Sequence, residues 1–77
     1  MSPEDFRKTV LPFIKHYYFD KEFVMNSYGC SLGNVTISYS PFTFEWEIVI
    51  SHSRTDTIEG KGSSLEEAYA NLLGFEN

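Results

Sequence analysis

A single cysteine, six basic residues and no long apolar run set the first limits on this chain of 77 residues. Cys30 alone cannot form an internal disulfide, nor can it build a zinc site. No basic-then-apolar leader opens the sequence, and no apolar stretch approaches the ~20 residues a membrane helix needs. The chain therefore reads as a soluble cytoplasmic protein that stays out of the membrane. Eleven acids against six bases give a net charge of −5, and a phosphate backbone repels such a surface on average. General nucleic-acid binding is disfavoured on that ground. Asn34-Val35-Thr36 matches a glycosylation acceptor, a chance match where no secretory signal accompanies it. With no repeat, linker or low-complexity segment, residues 1–77 read as one domain.

What the chain has in quantity is aromatic surface: seven Phe, five Tyr and one Trp. A domain this small has a marginal core, and large rings bury much area at modest cost in side-chain entropy. Thirteen rings exceed what a minimal core needs, which predicts apolar surface left over for a partner. A homodimer through an edge strand, or through the Tyr-rich end of the first helix, is the corresponding expectation.

The clearest pattern lies at residues 43–51. Phe44, Trp46, Ile48 and Ile50 alternate with Thr43, Glu45, Glu47 and Ser51, with Val49 the one apolar residue out of step. Successive strand side chains point to opposite faces, so this is a strand with one dry and one wet face. Such a strand belongs to a sheet covered on one side, usually an antiparallel one.

The flanking segments supply the cover. Ser2 caps a first helix, Pro3 suits its first position, and Glu4 and Asp5 sit on the positive end of its dipole. Phe6, Val10, Phe13, Ile14 and Tyr17 follow at helical spacing as an apolar stripe. Pro12 falls on the polar side and predicts a kink in one helix rather than a break. A first strand is expected over residues 22–28 and a loop over 29–34, where two glycines and an asparagine supply turn conformations. Val35, Ile37 and Tyr39 mark a second strand, which Pro41 closes. After the central strand comes a turn at 52–56 and a short strand at 57–61 with Ile58 inward, broken by Gly62. Ser63 and Ser64 each precede a glutamate by three residues (Glu66 and Glu67), a doubled capping signal. The second helix buries Leu65, Ala68, Tyr69, Leu72 and Leu73, Gly74 stops it, and Phe75 folds back over its last turn. The fold class is α+β: a two-layer sandwich of an antiparallel sheet of three to four strands, with two helices on one face.

Chemistry-bearing constellations are sparse. Glu45 and Glu47 share the wet face and, with His52 or Glu59, form the one conceivable cation site; a solvated face that discourages edge-to-edge pairing is the plainer reading. His16 and His52 stand alone and read as surface residues. Cys30 has no flanking base and reads as a small filler. Gly60-Lys61-Gly62-Ser63-Ser64 precedes a helix as a phosphate loop would. It has the wrong spacing, however, and Glu66 and Glu67 occupy the place of the anion. No catalytic residue, metal or cofactor is assigned, and the chain reads as no enzyme.

The stretch Ile58-Glu59-Gly60-Lys61-Gly62-Ser63-Ser64-Leu65-Glu66-Glu67-Ala68-Tyr69-Ala70-Asn71-Leu72-Leu73 resembles the strand–Gly–Ser–helix ending of double-stranded RNA-binding domains and HicB-type antitoxins. The RNA-binding domain places lysines at the start of its final helix, where this chain has Ser64-Leu65-Glu66-Glu67. As a whole, the small, acidic, aromatic-rich α+β chain is similar to phage-encoded inhibitors of host defence, anti-CRISPR proteins among them. That likeness implies a protein–protein interaction module that inhibits or modulates a nucleic-acid-handling host protein or nucleoprotein complex, such as a CRISPR or other defence nuclease. Its contact residues would be Glu45, Glu47, Asp56, Glu59, Glu66 and Glu67, with Tyr18 and Tyr28 as aromatic anchors. The alternative is a nucleic-acid-binding module that uses Arg7, Lys8 and Lys15 on the first helix.

Overall fold

The computed structural model describes residues 2–19, 21–53 and 55–75, and residues 73–75 by their backbone. Among these residues there are two helices and five strands in the order α1 (Pro3–Tyr18), β1 (Val24–Met25), β2 (Gly29–Leu32), β3 (Val35–Ser40), β4 (Glu45–Ser51), β5 (Thr57–Gly62) and α2 (Leu65–Phe75). The strands form one antiparallel meander, β1-β2-β3-β4-β5. The fold is α+β, and its sheet has five strands where the sequence pattern suggests three to four.

Local chemistry explains α1. The Ser2 hydroxyl accepts from the Asp5 N–H at 3.1 Å, and the Asp5 carboxylate accepts from the Ser2 N–H at 3.3 Å, a complete capping box. Those bonds to Ser2, backbone first and hydroxyl second, hold the Asp5 carboxyl below its ordinary 3.8. Pro12 lies inside one continuous helix, as its polar-side position predicts. Phe6, Val10, Phe13 and Ile14 are buried, whereas Tyr17 stays at the rim.

The first two strands depart from the sequence pattern. The segment 22–28 contributes only the two residues of β1, and 29–34 is a strand followed by a tight turn rather than a loop. Gly29-Cys30-Ser31-Leu32 has turn-like composition, but pairing in register with Ser38-Ile37-Thr36-Val35 satisfies its backbone. Gly33 alone of the two turn residues has positive φ (59°), the II′ pattern of a two-residue hairpin. The Asn34 side-chain amide donates to the Ser51 carbonyl at 2.9 Å, and the Ser51 N–H returns a bond to the Asn34 carbonyl at 3.0 Å.

Register places Ile37, Ile48, Trp46, Ile50 and Ile58 on one face. Both helices contact that face. The ring of Phe6 on α1 stacks on Trp46, centroids 5.4 Å apart and planes 14° from parallel. Phe13 and Tyr17 meet Tyr69 of α2 at 5.7 and 4.4 Å. α2 lies directly on β5, and Gly60 makes this possible: a Cβ there would meet the Ala68 carbonyl and come within 2.5 Å of the Leu72 nitrogen. Gly62 therefore does not break the strand. It pairs with Trp46 as the last residue of β5, under the first turn of the helix. Ser64 caps α2, its hydroxyl accepting from the Glu67 N–H at 3.1 Å, while the Ser63 hydroxyl donates to the Glu67 carboxylate at 3.0 Å. Leu65, Ala68 and Leu72 are buried and Tyr69 is half-buried. Gly74 does not stop the helix, which runs to Phe75. The side-chain positions expected of Leu73 and Phe75 lie outside the described residues.

Candidate protein-binding surface

Among the described residues no element packs on the second face of the sheet, which carries Thr36, Ser38, Ser40, Glu45, Glu47, Val49, Glu59 and Lys61 by alternation. Glu45 stands opposite Ser40, Glu47 between Ser38 and Lys61, and Glu59 opposite Val49. Three of the six carboxylates singled out from sequence thus share one surface. Lys61 interrupts it, with its ammonium 3.5 Å from the Glu47 carboxylate. A depression of about 310 Å³ opens between Ser38, Ser40, Thr43, Glu45, Glu47 and Lys61.

The other three carboxylates lie elsewhere. Asp56 is in the β4–β5 turn, where its N–H donates to the Ser53 hydroxyl at 3.1 Å and its carbonyl accepts from the His52 N–H at 2.8 Å. That turn is a strand length, about 20 Å, from Glu45. Glu66 and Glu67 sit in the first turn of α2, on the helical side of the sheet. His52 is exposed beside Asp56, too far along the strand to join Glu45 and Glu47. Among the described residues no three His, Cys, Asp or Glu side chains come together to hold a metal ion. Cys30 is buried in β2, and burial pushes its thiol up to about 11. Of the bases on α1, Lys8 is 3.6 Å from Glu4 on the exposed surface.

The aromatic anchors read from sequence are placed differently. Tyr18 packs on Phe23 at 5.3 Å and Tyr28 on Tyr39 at 6.3 Å, both against the core. The most exposed rings among the described residues are instead Phe19, Phe42 and Phe44, with Tyr17 exposed to a lesser degree. Phe42 and Phe44 belong to the four-residue turn between β3 and β4, and are 92% and 68% exposed. Phe44 is not an inward strand residue. Its φ is +58°, its N–H donates to the Ser40 carbonyl at 2.8 Å, and the Thr43 N–H donates to the Ser40 hydroxyl at 3.3 Å. A left-handed phenylalanine costs ~1–2 kcal/mol and no glycine relieves it. Its even number matches Trp46, Ile48 and Ile50, so period two alone assigns it to the dry face. Pro41 after Ser40, four residues before the next pair of the ladder, is the signal for a turn that reaches through Phe44.

Compared with protein families, with curated proteins and with solved structures, the chain matches none. The functional reading therefore rests on this surface: two phenyl rings at a strained hairpin tip, with Glu45 and Glu47 immediately after them. No described helix is long and apolar enough to cross a membrane.

Proposed function

We propose that this chain is a protein-binding module rather than an enzyme, and that it works through the β3–β4 tip and the carboxylates beside it. The observation that carries the reading is the exposure of Phe42 and Phe44 next to Glu45 and Glu47. Buried aromatic anchors dominate interface energies, and a rim of like charge selects the partner. The complementary partner has an apolar pocket bordered by Lys and Arg. Proteins that handle nucleic acid offer such surfaces, and the proposed role is inhibition or modulation of a host nuclease or nucleoprotein complex. Glu45 and Glu47, about 7 Å apart along the strand, can stand in for only a few phosphates. Specificity would come from the rings.

Capture from host lysate, with mass spectrometry of what is retained, tests this. Phe42→Ser/Phe44→Ser and Glu45→Lys/Glu47→Lys should each lose the same protein while keeping the wild-type circular dichroism spectrum. Added nucleic acid should release it. Capture that survives both pairs of substitutions refutes the surface assignment. Direct binding of labelled duplex by the chain itself, with steep salt dependence, would favour the nucleic-acid reading on Arg7, Lys8 and Lys15 instead.

A further inference from the structure

A groove runs between α1 and β1. Two adjoining depressions of about 680 and 330 Å³ share Arg7, Leu11 and Met25 as walls. Ile14 and Phe23 floor the smaller one. Leu11 is an apolar residue 48% exposed beside the buried stripe of Phe6, Val10, Phe13 and Ile14, and Met25 is only partly covered. A cavity of ~150 Å³ already holds a benzene ring, so each depression has room for a phenyl side chain. The rim carries Arg7, Lys8 and Lys21 against Glu4 and Glu22, and Glu4 is engaged with Lys8. Among the described residues neither Arg7 nor Lys21 takes part in an ion pair. On a chain of net charge −5, this is a groove of mixed lining, apolar at Leu11, Ile14, Phe23 and Met25, with three cations against two carboxylates on its rim.

Its complement is on the same molecule. The β3–β4 tip presents two phenyl rings followed by Glu45 and Glu47, apolar at the centre and negative beside it. Tip and groove also lie at the same end of the sheet: Asn26 and Ser27, in the β1–β2 connection, line the groove, and the Tyr28 carbonyl accepts from the Tyr39 N–H at 2.9 Å. The two hairpin ends are about two strand spacings apart, roughly 10 Å. A plug and a socket side by side at one end are related to those of a second copy by a twofold axis, so each plug can enter the other's socket and the contact closes.

We propose that the chain forms a twofold dimer in which Phe42 and Phe44 of each copy insert into the α1–β1 groove of the other. Four rings at ~150–250 Å² apiece, with the groove surface they cover, reach the ~1,200 Å² of a small specific interface. Glu45 of one copy faces Arg7 and Lys21 of the other. Neither the free edge of β1 nor the tyrosines of α1 are used; Tyr17 and Tyr18 are already packed on Tyr69 and Phe23. The dimer occludes the tip, so a protein partner would compete with it.

Sedimentation of the chain alone tests this, and its failure leaves the partner-binding proposal standing. The wild type should move from 8.9 kDa towards twice that mass between micromolar and millimolar concentration, and high salt should weaken the association. A plug variant, Phe42→Ser/Phe44→Ser, and a socket variant, Arg7→Glu/Leu11→Asp, should each associate about 30-fold more weakly or worse. All four positions are exposed, and a far-UV circular dichroism spectrum matching that of the wild type checks each fold. Mixed in equal amounts, the two variants should associate more strongly than either alone and more weakly than wild type, because one of the two plug–socket contacts is intact in the mixed pair. A wild type that stays monomeric at millimolar concentration overturns the proposal. So does undiminished dimerisation of both variants, or a mixture that associates no more strongly than either variant alone. Flotation of wild-type monomer, but not of the plug variant, with phosphatidylcholine vesicles in the absence of any dimer would assign the tip to lipid and equally overturn it.

Discussion

Gly60→Ala probes the seam on which the whole arrangement of helix and sheet depends. A Cβ at Gly60 would lie 2.5 Å from the Leu72 nitrogen and 2.9 Å from its Cα, and closer still to the Ala68 carbonyl oxygen. All three are helix backbone, so no side chain can rotate away. Ordinary contact is ~3.5–4.0 Å, which requires α2 to withdraw by about 1 Å. Leu65, Ala68 and Leu72 are buried against the sheet and would all lose contact together. Overpacking of a fitted core costs ~1–3 kcal/mol, and a rigid clash of this kind belongs at the upper end. A chain of this length has roughly 4–12 kcal/mol of stability in all. A loss of ~3 kcal/mol lowers Tm by about 12–24 °C. Urea unfolding followed by Trp46 emission and by far-UV circular dichroism measures the difference. Gly29→Ala is the control: the added Cβ would meet its nearest neighbour, the Ile37 carbonyl oxygen, at 3.7 Å, and its effect should stay within ~0.5 kcal/mol. A Gly60→Ala protein as stable as wild type would show that α2 does not rest on β5 as described.

Trp46→Ala, which removes the ring stacked on Phe6, should cost ~3–5 kcal/mol, and the native emission should be blue-shifted; a solvated spectrum contradicts the register of β4. At low micromolar concentration, where the chain is monomeric, Phe44→Asn should raise stability by about 0.5–1 kcal/mol, because asparagine tolerates the left-handed conformation and little burial is lost within the monomer. Reduced stability there would mean that the ring packs on its own molecule. Cys30 should resist alkylation in the native state and react on unfolding. Its thiol is raised in the fold from an ordinary 9.0 to about 11, by burial. Burial favours the neutral form, so its contribution is complete below pH 9 and is lost as pH rises towards about 11. Cys30→Ala should remove that part of the alkaline decline, and an unchanged pH profile would count against it.

Much of the architecture was legible because it depends on the chain's own period. Trp46, Ile48 and Ile50 share a face in any strand, Phe6, Val10, Phe13 and Ile14 share one in any helix, and Ser2 and Ser64 cap by bonds that span three residues. The common face of Glu45, Glu47 and Glu59 follows from alternation once β5 pairs with β4. Gly29-Cys30-Ser31-Leu32 escaped that reading since its strand conformation is imposed by β3, a neighbour whose pairing overrides a turn-like composition. Gly62 looks like a strand breaker in isolation, and only the helix above it and Gly60 shows that their missing side chains are the requirement. Phe44 fits the parity of the dry face, but parity carries no information about φ, and the turn turns its ring outward. The groove between α1 and β1 was invisible for a different reason: Met25 is far along the chain from Arg7 and Leu11, and their proximity is decided by how the helix stacked through Phe6 on Trp46 crosses the sheet. Short-range geometry wrote the elements and their faces. Packing between distant segments decided which glycines are buried, which phenylalanines are free, and where an apolar socket opens.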